Sequence, residues 1–274
     1  GTKKAGHTGT LDPDVEGVLP VCIGRATKIA EYLQDAGKTY EGEATIGIST
    51  TTEDASGDII EKKEISRPIS REEILAALAS FTGHITQIPP MFSAVKVNGR
   101  RLYEYARAGI EVERPKRNVQ IYSLELLDGR EYFEGPVVSF RFRASCSKGT
   151  YIRTLAVMIG EKLGYPAHMS NLTRIEAGGF SKEQCATFQE IEKAAETGDR
   201  ESLLYPLEAG IRHLPKWEIS DTLAEKVKNG AVLKKPETWP ETGDRLAVFF
   251  RGKMLAVYVA YPGRPGFIKP AKVL

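Results

Sequence analysis

From Val138 to Cys146 apolar and polar side chains alternate without a break. Val138, Phe140, Phe142, Ala144 and Cys146 fall on one face, and Ser139, Arg141, Arg143 and Ser145 on the other. Period-two alternation places a strand in a sheet with one face in a core and one face polar. Partners are at hand. Residues 39–48 are rich in Thr, Tyr and Ile, and residues 119–127 carry a further β-like run. After the turn Ser147-Lys148-Gly149-Thr150 the period changes: Ile152, Leu155, Ile159 and Leu163 share one helical face, and Gly164 ends it. Tyr151 and Arg153 therefore stand in the first turn of a helix packed on the sheet.

Other elements follow from caps. Residues 25–36 read as a short helix carrying Ile29, Tyr32 and Leu33. Ser70 with Glu73 forms a capping box ahead of Ile74, Leu75, Leu78 and Phe81, and Thr187 with Glu190 forms another ahead of Ile191 and Ala194. Beyond Pro206 the texture changes to a short helix near 221–229 and two β-like runs, 245–250 and 254–261. The expected class is α+β: a mixed, largely antiparallel sheet flanked by helices over 1–212, and a small, mostly β domain over 213–274.

Gly6-His7-Thr8-Gly9-Thr10-Leu11-Asp12-Pro13-Asp14 sets one carboxylate in a turn bracketed by glycines and fixed at its exit by proline. Read alone, it is more readily an ordinary surface turn than a reactive loop. Other chemistries lack their motifs. Gly42-x-x-x-x-Gly47 is followed by Ile48-Ser49 and so lacks the P-loop lysine, and neither GxGxxG nor GxSxG occurs. The four histidines, His7, His84, His168 and His213, have no zinc-binding spacing. Asp12 is left as the best-placed nucleophile or acid/base group, with no cofactor and no metal implied. Cys22, Cys146 and Cys185 form no CxxC pair and suit reduced, buried thiols in a cytosolic, cytoplasmic protein. No apolar run is long enough to span a membrane.

Net charge is only +2, but it is uneven. Between Lys96 and Arg117 seven basic residues stand against three acidic ones, 7 − 3 = +4, interleaved with Tyr103 and Tyr105. Cations beside aromatic faces suit a nucleic-acid backbone and its bases; a solvated charged helix would have the same composition.

Taken in order, GHTGTLDP (6–13), GVLPVCIGRATK (17–28), KTYEGE (38–43), QIPPMFSAVKVNGRRLYEYAR (87–107), CSKGTYIRTLA (146–156) and NLTRIEAGGF (171–180) resemble the motifs of the bacterial TruB tRNA pseudouridine synthases. Related guide-RNA-dependent enzymes usually carry serine at the place of Thr8. The resemblance implies a pseudouridine-synthase catalytic domain and a PUA-like C-terminal RNA-binding domain. It implies isomerisation of uridine 55 in the TΨC arm of tRNA, without cofactor: the bond from C1′ to N1 breaks, the base turns, and C5 bonds to C1′. The flipped base leaves the stack at a cost of a few kcal/mol.

By the same resemblance Asp12 is the catalytic aspartate and Arg153, 141 residues away, its partner. We expect a buried, bidentate pair in which arginine orients the carboxylate and offsets its desolvation. Tyr40 would stack on the target base and is a candidate for proton transfer at C5. Leu172 would line the uracil pocket beside Tyr151, although a plain core role fits both. His7 would fill space vacated by flipped nucleotides. Lys38 and the basic segment with Lys96, Arg100 and Arg101 would grip phosphates, and the C-terminal domain would reach the acceptor stem. The implied partner is tRNA, bound by a monomer needing no membrane and no protein partner.

Three departures stand out. The chain begins at Gly1, where the family has a leading strand and a KP-containing motif, so a segment is expected before it. Thr51 replaces an acidic residue common in the family, which weakens a hydrogen bond near the RNA or the site floor, and Gly179 stands where proline is common. The alternative function is an RNA-binding or folding module acting on the T loop independently of catalysis. A base-removing glycosidase using Asp12 would differ by releasing free uracil.

Overall fold

The computed structural model describes residues 2–241 and 245–274. The chain forms two compact units, each assembled from separate stretches: Leu11–Val18 with Gly37–Ala177, and Gly1–Thr10 with Leu19–Ala36 and Gly178–Leu274. Packing thus interleaves the first 177 residues, which the sequence reading had grouped together within 1–212.

In the unit containing Asp12 the elements are β1 (Glu16–Gly17), β2 (Lys38–Ile46), β3 (Ile48–Thr50), β4 (Ile59–Lys62), α1 (Arg71–Ala79), β5 (Gly83–Gln87), β6 (Lys96–Val97), β7 (Arg100–Arg101), α2 (Leu102–Arg107), β8 (Arg117–Leu126), β9 (Val138–Cys146), α3 (Ile152–Leu163) and β10 (Ala167–Ala177). Within this unit the main sheet runs β10-β2-β9-β8-β5, and β1 pairs with β10 off that path. Every one of these pairings is antiparallel except β1 with β10.

The alternation in β9 does what its period predicts: Val138, Phe140, Phe142, Ala144 and Cys146 are buried, and their polar neighbours are not. They join Ala44 and Ile46 of β2, Ile74 and Leu78 of α1, and Leu155 and Ile159 of α3 in one cluster. Each large side chain so buried contributes about 1.5–3 kcal/mol. The Ser70–Glu73 capping box is complete, with reciprocal bonds of 3.2 and 2.9 Å, and Gly164 closes α3 in the left-handed conformation.

In the second unit, strands Lys216–Glu218, Arg245–Phe250, Lys253–Ala260, Phe267–Val273 and Leu233–Lys234 form a five-stranded sheet in that order. The expected helix at 25–36 is a 3₁₀ segment, Gly24–Ile29, followed by the α-helix Ala30–Asp35. Its Ile29, Tyr32 and Leu33 are buried with Ile211, Phe249 and Met254. The Thr187–Glu190 box is present. Cys22 and Cys146 are buried, but Cys185 is exposed, contrary to the expectation of three buried thiols. Among the described residues no helix is long and apolar enough to cross a membrane, and no group of three or more metal-binding side chains is assembled.

Candidate active site

Asp12 lies in the loop that enters β1. The loop is closed on itself where Val15 N–H donates to the Asp12 carbonyl at 3.0 Å, and it is fixed to the sheet where Val18 N–H donates to the Arg174 carbonyl at 2.8 Å. Gly17 makes the approach possible, because with φ at 114° a Cβ there would sit 2.1 Å from the Arg174 oxygen.

Arg153, in the first turn of α3, faces the loop. Its Nε lies 2.9 Å from Asp12 Oδ2. The remaining nitrogens go elsewhere: Nη1 donates to the Thr52 carbonyl at 2.8 Å and lies 3.4 Å from Asp54 Oδ2, and Nη2 donates to the Phe92 carbonyl at 2.9 Å. The expected bidentate fork on Asp12 is therefore not formed. A planar guanidinium has five donors, and here they are divided among two carboxylates and two backbone carbonyls. Burial is as expected for arginine only: its side chain is 5% exposed, that of Asp12 44%.

Asp54 was not singled out from sequence. Burial pushes its carboxyl up, but hydrogen bonds from Ser56 and Thr52, with Arg153 beside it, outweigh burial and hold it below the usual range. Oδ1 accepts from Thr52 Oγ1 at 2.6 Å, Ser56 Oγ at 2.6 Å and Ser56 N–H at 3.0 Å. The legible signal was the hydroxyl-rich loop itself, in which aspartate two residues before serine makes an Asx-turn. Thr51, the departure from the family pattern, helps close this loop, its Oγ1 accepting from Asp58 N–H at 3.1 Å.

Gln87 was also missed. Fully buried at the end of β5, it donates Nε2 to the Tyr151 carbonyl at 3.1 Å and accepts Tyr151 N–H at 3.0 Å. Tyr151 is the N-cap residue of α3, so this double bond sets the start of the helix that presents Arg153.

Tyr40 sits near the outer end of β2, opposite Ala144 and Arg174. It packs against the core cluster. Burial pushes its phenol up, Arg174 opposes that by charge and a side-chain hydrogen bond, and the Asp12 charge adds to the rise. Lys38, two residues earlier on the same face, is pushed down by burial and by Arg174. Leu172 is buried in the core cluster opposite Gly42. Asp12, Tyr40 and Arg153 thus belong to one unit, together with Lys38, Tyr151 and Leu172.

Lys96, Arg100 and Arg101 are exposed on the hairpin β6-β7. Its two-residue turn is Asn98-Gly99, with φ of 50° and 81°, the combination that suits a tight hairpin. Arg100 stacks 4.9 Å from the Tyr105 ring centre, and Arg101 and Arg107 lie 5.7 and 5.4 Å from that of Tyr103. His7 belongs to the other unit, exposed at the end of the strand Ala5–His7, where its Nδ1 accepts Gly9 N–H at 3.4 Å.

The model of the TruB family pseudouridylate synthase N-terminal domain matches residues 1–152, and that of the tRNA pseudouridylate synthase B C-terminal domain matches 153–212. The chain belongs to the TruB family. A tRNA pseudouridine synthase B of Geobacillus thermodenitrificans (strain NG80-2) is 60% identical over 274 residues, covering 100% of this chain and 91% of the relative. The protein of the same name from Bacillus subtilis (strain 168) is 57% identical over 276 residues, covering 100% and 89%. Among solved structures, a Cbf5-Nop10-Gar1 complex contains a chain 30% identical with a TM-score of 0.69, covering 94% of this chain and 70% of that one. An archaeal box H/ACA sRNP Nop10-Cbf5 complex gives 25% identity and a TM-score of 0.69, covering 99% and 77%.

As a TruB family member the chain has the pseudouridine-synthase fold, and its departure at residue 179 has a backbone reason. Gly179 has a φ of 77°, which proline, locked near −65°, cannot adopt.

Proposed function

We propose that this enzyme isomerises uridine 55 in the T arm of tRNA to pseudouridine, with Asp12 as the essential catalytic group. The observation that carries the reading is the Asp12–Arg153 pair, in which a half-exposed carboxylate is aimed by a buried guanidinium. The names of its relatives support tRNA as the substrate.

In this reading RNA docks on the hairpin carrying Lys96, Arg100 and Arg101, and Lys38 meets a phosphate at the mouth of the site. The target uridine leaves the T-loop stack, and His7 props the space it vacates. Tyr40 stacks on the flipped base above Leu172, with Tyr151 beside it. Breaking the bond from C1′ to N1 leaves electron density on uracil, which turns so that C5 bonds to C1′. Asp12 assists at C1′, at C6 or in glycal formation, and Arg153 keeps its carboxylate oriented while RNA excludes water. Tyr40 accepts the C5 proton. Residues 213–274 act as a PUA-like module on the acceptor stem, and the enzyme works as a cytoplasmic monomer without cofactor.

The test is tritium release from 5-tritiated uridine in a T-arm stem-loop, comparing the wild type with Asp12→Asn. Release by the wild type alone is expected; equal release by both proteins removes Asp12 from the chemistry.

A further inference from the structure

Arg174 is among the most completely buried side chains of the protein, 2% exposed, on the apolar face of β10 two residues beyond Leu172. A guanidinium taken from water costs several kcal/mol unless its donors are satisfied. Its contacts converge on the site. Nε donates to the Val18 carbonyl at 2.6 Å, and the Arg174 carbonyl accepts Val18 N–H at 2.8 Å, so one residue clamps the exit of the Asp12 loop at both backbone groups. Across the β2-β10 pairing Arg174 stands opposite Tyr40, and the two side chains are hydrogen-bonded.

The charged and titratable groups around the Tyr40 hydroxyl are Arg174, Cys146 and Asp12, with Lys38 next to Arg174. Burial holds the Cys146 thiol up at about 11, so it is neutral at physiological pH. Burial disfavours a phenolate at Tyr40, and Asp12 adds to that; Arg174 offsets part of both.

We propose that Arg174 is a positioning residue for isomerisation: it holds Tyr40 ready to take the C5 proton and pins the Asp12 loop at Val18, keeping base and aspartate in fixed relation. This rests on the reading of Tyr40 as proton acceptor given above. In the step concerned C5 already carries both its hydrogen and C1′, and C6 is doubly bonded to N1. The proton passes to the Tyr40 phenolate oxygen, the C5–H electron pair forms C5=C6, and the C6=N1 π pair moves onto N1, which takes a proton from water. A guanidinium beside the phenolate stabilises the base before the transfer and orients its lone pair.

The experiment is single-turnover conversion of a T-arm RNA carrying uridine or 5-deuterouridine by Arg174→Gln, Arg174→Lys and Tyr40→Phe, with RNA affinity measured alongside. For Arg174→Gln we expect a rate loss of about 100-fold with affinity little changed, a primary deuterium isotope effect absent from the wild type, and a deficit that narrows as pH rises. Arg174→Lys keeps the charge but cannot serve Val18 and Tyr40 together; it should lose less rate and show a smaller isotope effect, and it reads the proposal if the glutamine variant does not fold. A pH-independent loss with no isotope effect in the folded Arg174 variants overturns the proposal, provided Tyr40→Phe shows the effect. A Tyr40→Phe enzyme with wild-type rate and no isotope effect overturns the reading of Tyr40 itself.

Discussion

Arg153 and Asp12 meet through a single contact, Nε to Oδ2 at 2.9 Å, and the two partners differ sharply in exposure. The arginine is anchored from behind by the Thr52 and Phe92 carbonyls and by Asp54, so only its Nε edge is turned to the loop. In the proposed reaction such a residue aims Asp12 without itself being offered to the substrate.

Removing either end should therefore have different consequences. Asp12→Asn leaves the arginine's other partners in place and should keep fold and RNA affinity, while lowering the single-turnover rate by roughly 10³-fold or more, about 4 kcal/mol of barrier. Arg153→Ala leaves Asp54 and two carbonyls without their buried donor and should cost about 3–5 kcal/mol of stability as well as activity. Thermal unfolding beside tritium release separates the two. Retained affinity in Asp12→Asn is also what an RNA-folding role would need.

Asp54 and Glu53 should titrate with opposite signs. Hydrogen bonds hold the Asp54 carboxyl below the usual range despite burial, so its contribution to stability is present above the unfolded pKa and lost as pH falls through the lower folded value. Burial pushes Glu53 up, against a hydrogen bond from Thr154; its contribution is present below the unfolded pKa and lost as pH rises through the higher folded value. Melting temperatures of Asp54→Asn and Glu53→Gln against wild type, scanned from neutral pH to about 2, should show the glutamine variant's relative stability falling first and the asparagine variant's deficit shrinking only below the ordinary aspartate range.

Gly17→Ala should be among the most damaging small substitutions. The added Cβ would meet the Arg174 carbonyl at 2.1 Å in a backbone conformation that disfavours side chains, so the loop must lift from β10. We expect a loss of about 3 kcal/mol and a large fall in kcat, read by denaturant melts and turnover.

On the hairpin, Lys96→Ala, Arg100→Ala and Arg101→Ala should each weaken tRNA binding and reduce the slope of log affinity against log salt by about one. The rate at saturating RNA should change little. Filter binding over a salt series decides this, and an unchanged slope would place the phosphates elsewhere.

Sequence made the scaffold readable wherever periodicity and caps agreed. Strand β9, helix α3 and both capping boxes stand where alternation, helical spacing and Ser70 or Thr187 put them. The pair of Asp12 with Arg153 was legible only through ordered family motifs, since nothing local links residues so far apart. Asp54, Gln87 and Arg174 escaped because their roles lie in tertiary contacts: an Asx-turn, a double bond to a helix cap, and a buried charge on an apolar strand face. Arg174 left one trace, a cation at the position where the Leu172 face should have continued apolar.

The unit holding the site takes its chain in two visits, residues 11–18 and then 37–177. During synthesis Asp12 leaves the ribosome long before Arg153 and before the strand that carries Arg174. Arg153 follows with α3, and the clamp at Val18 comes last, with Arg174 of β10. Activity in this protein is consequently a property that a growing chain acquires late, only once β10 has closed the sheet over the loop that emerged first.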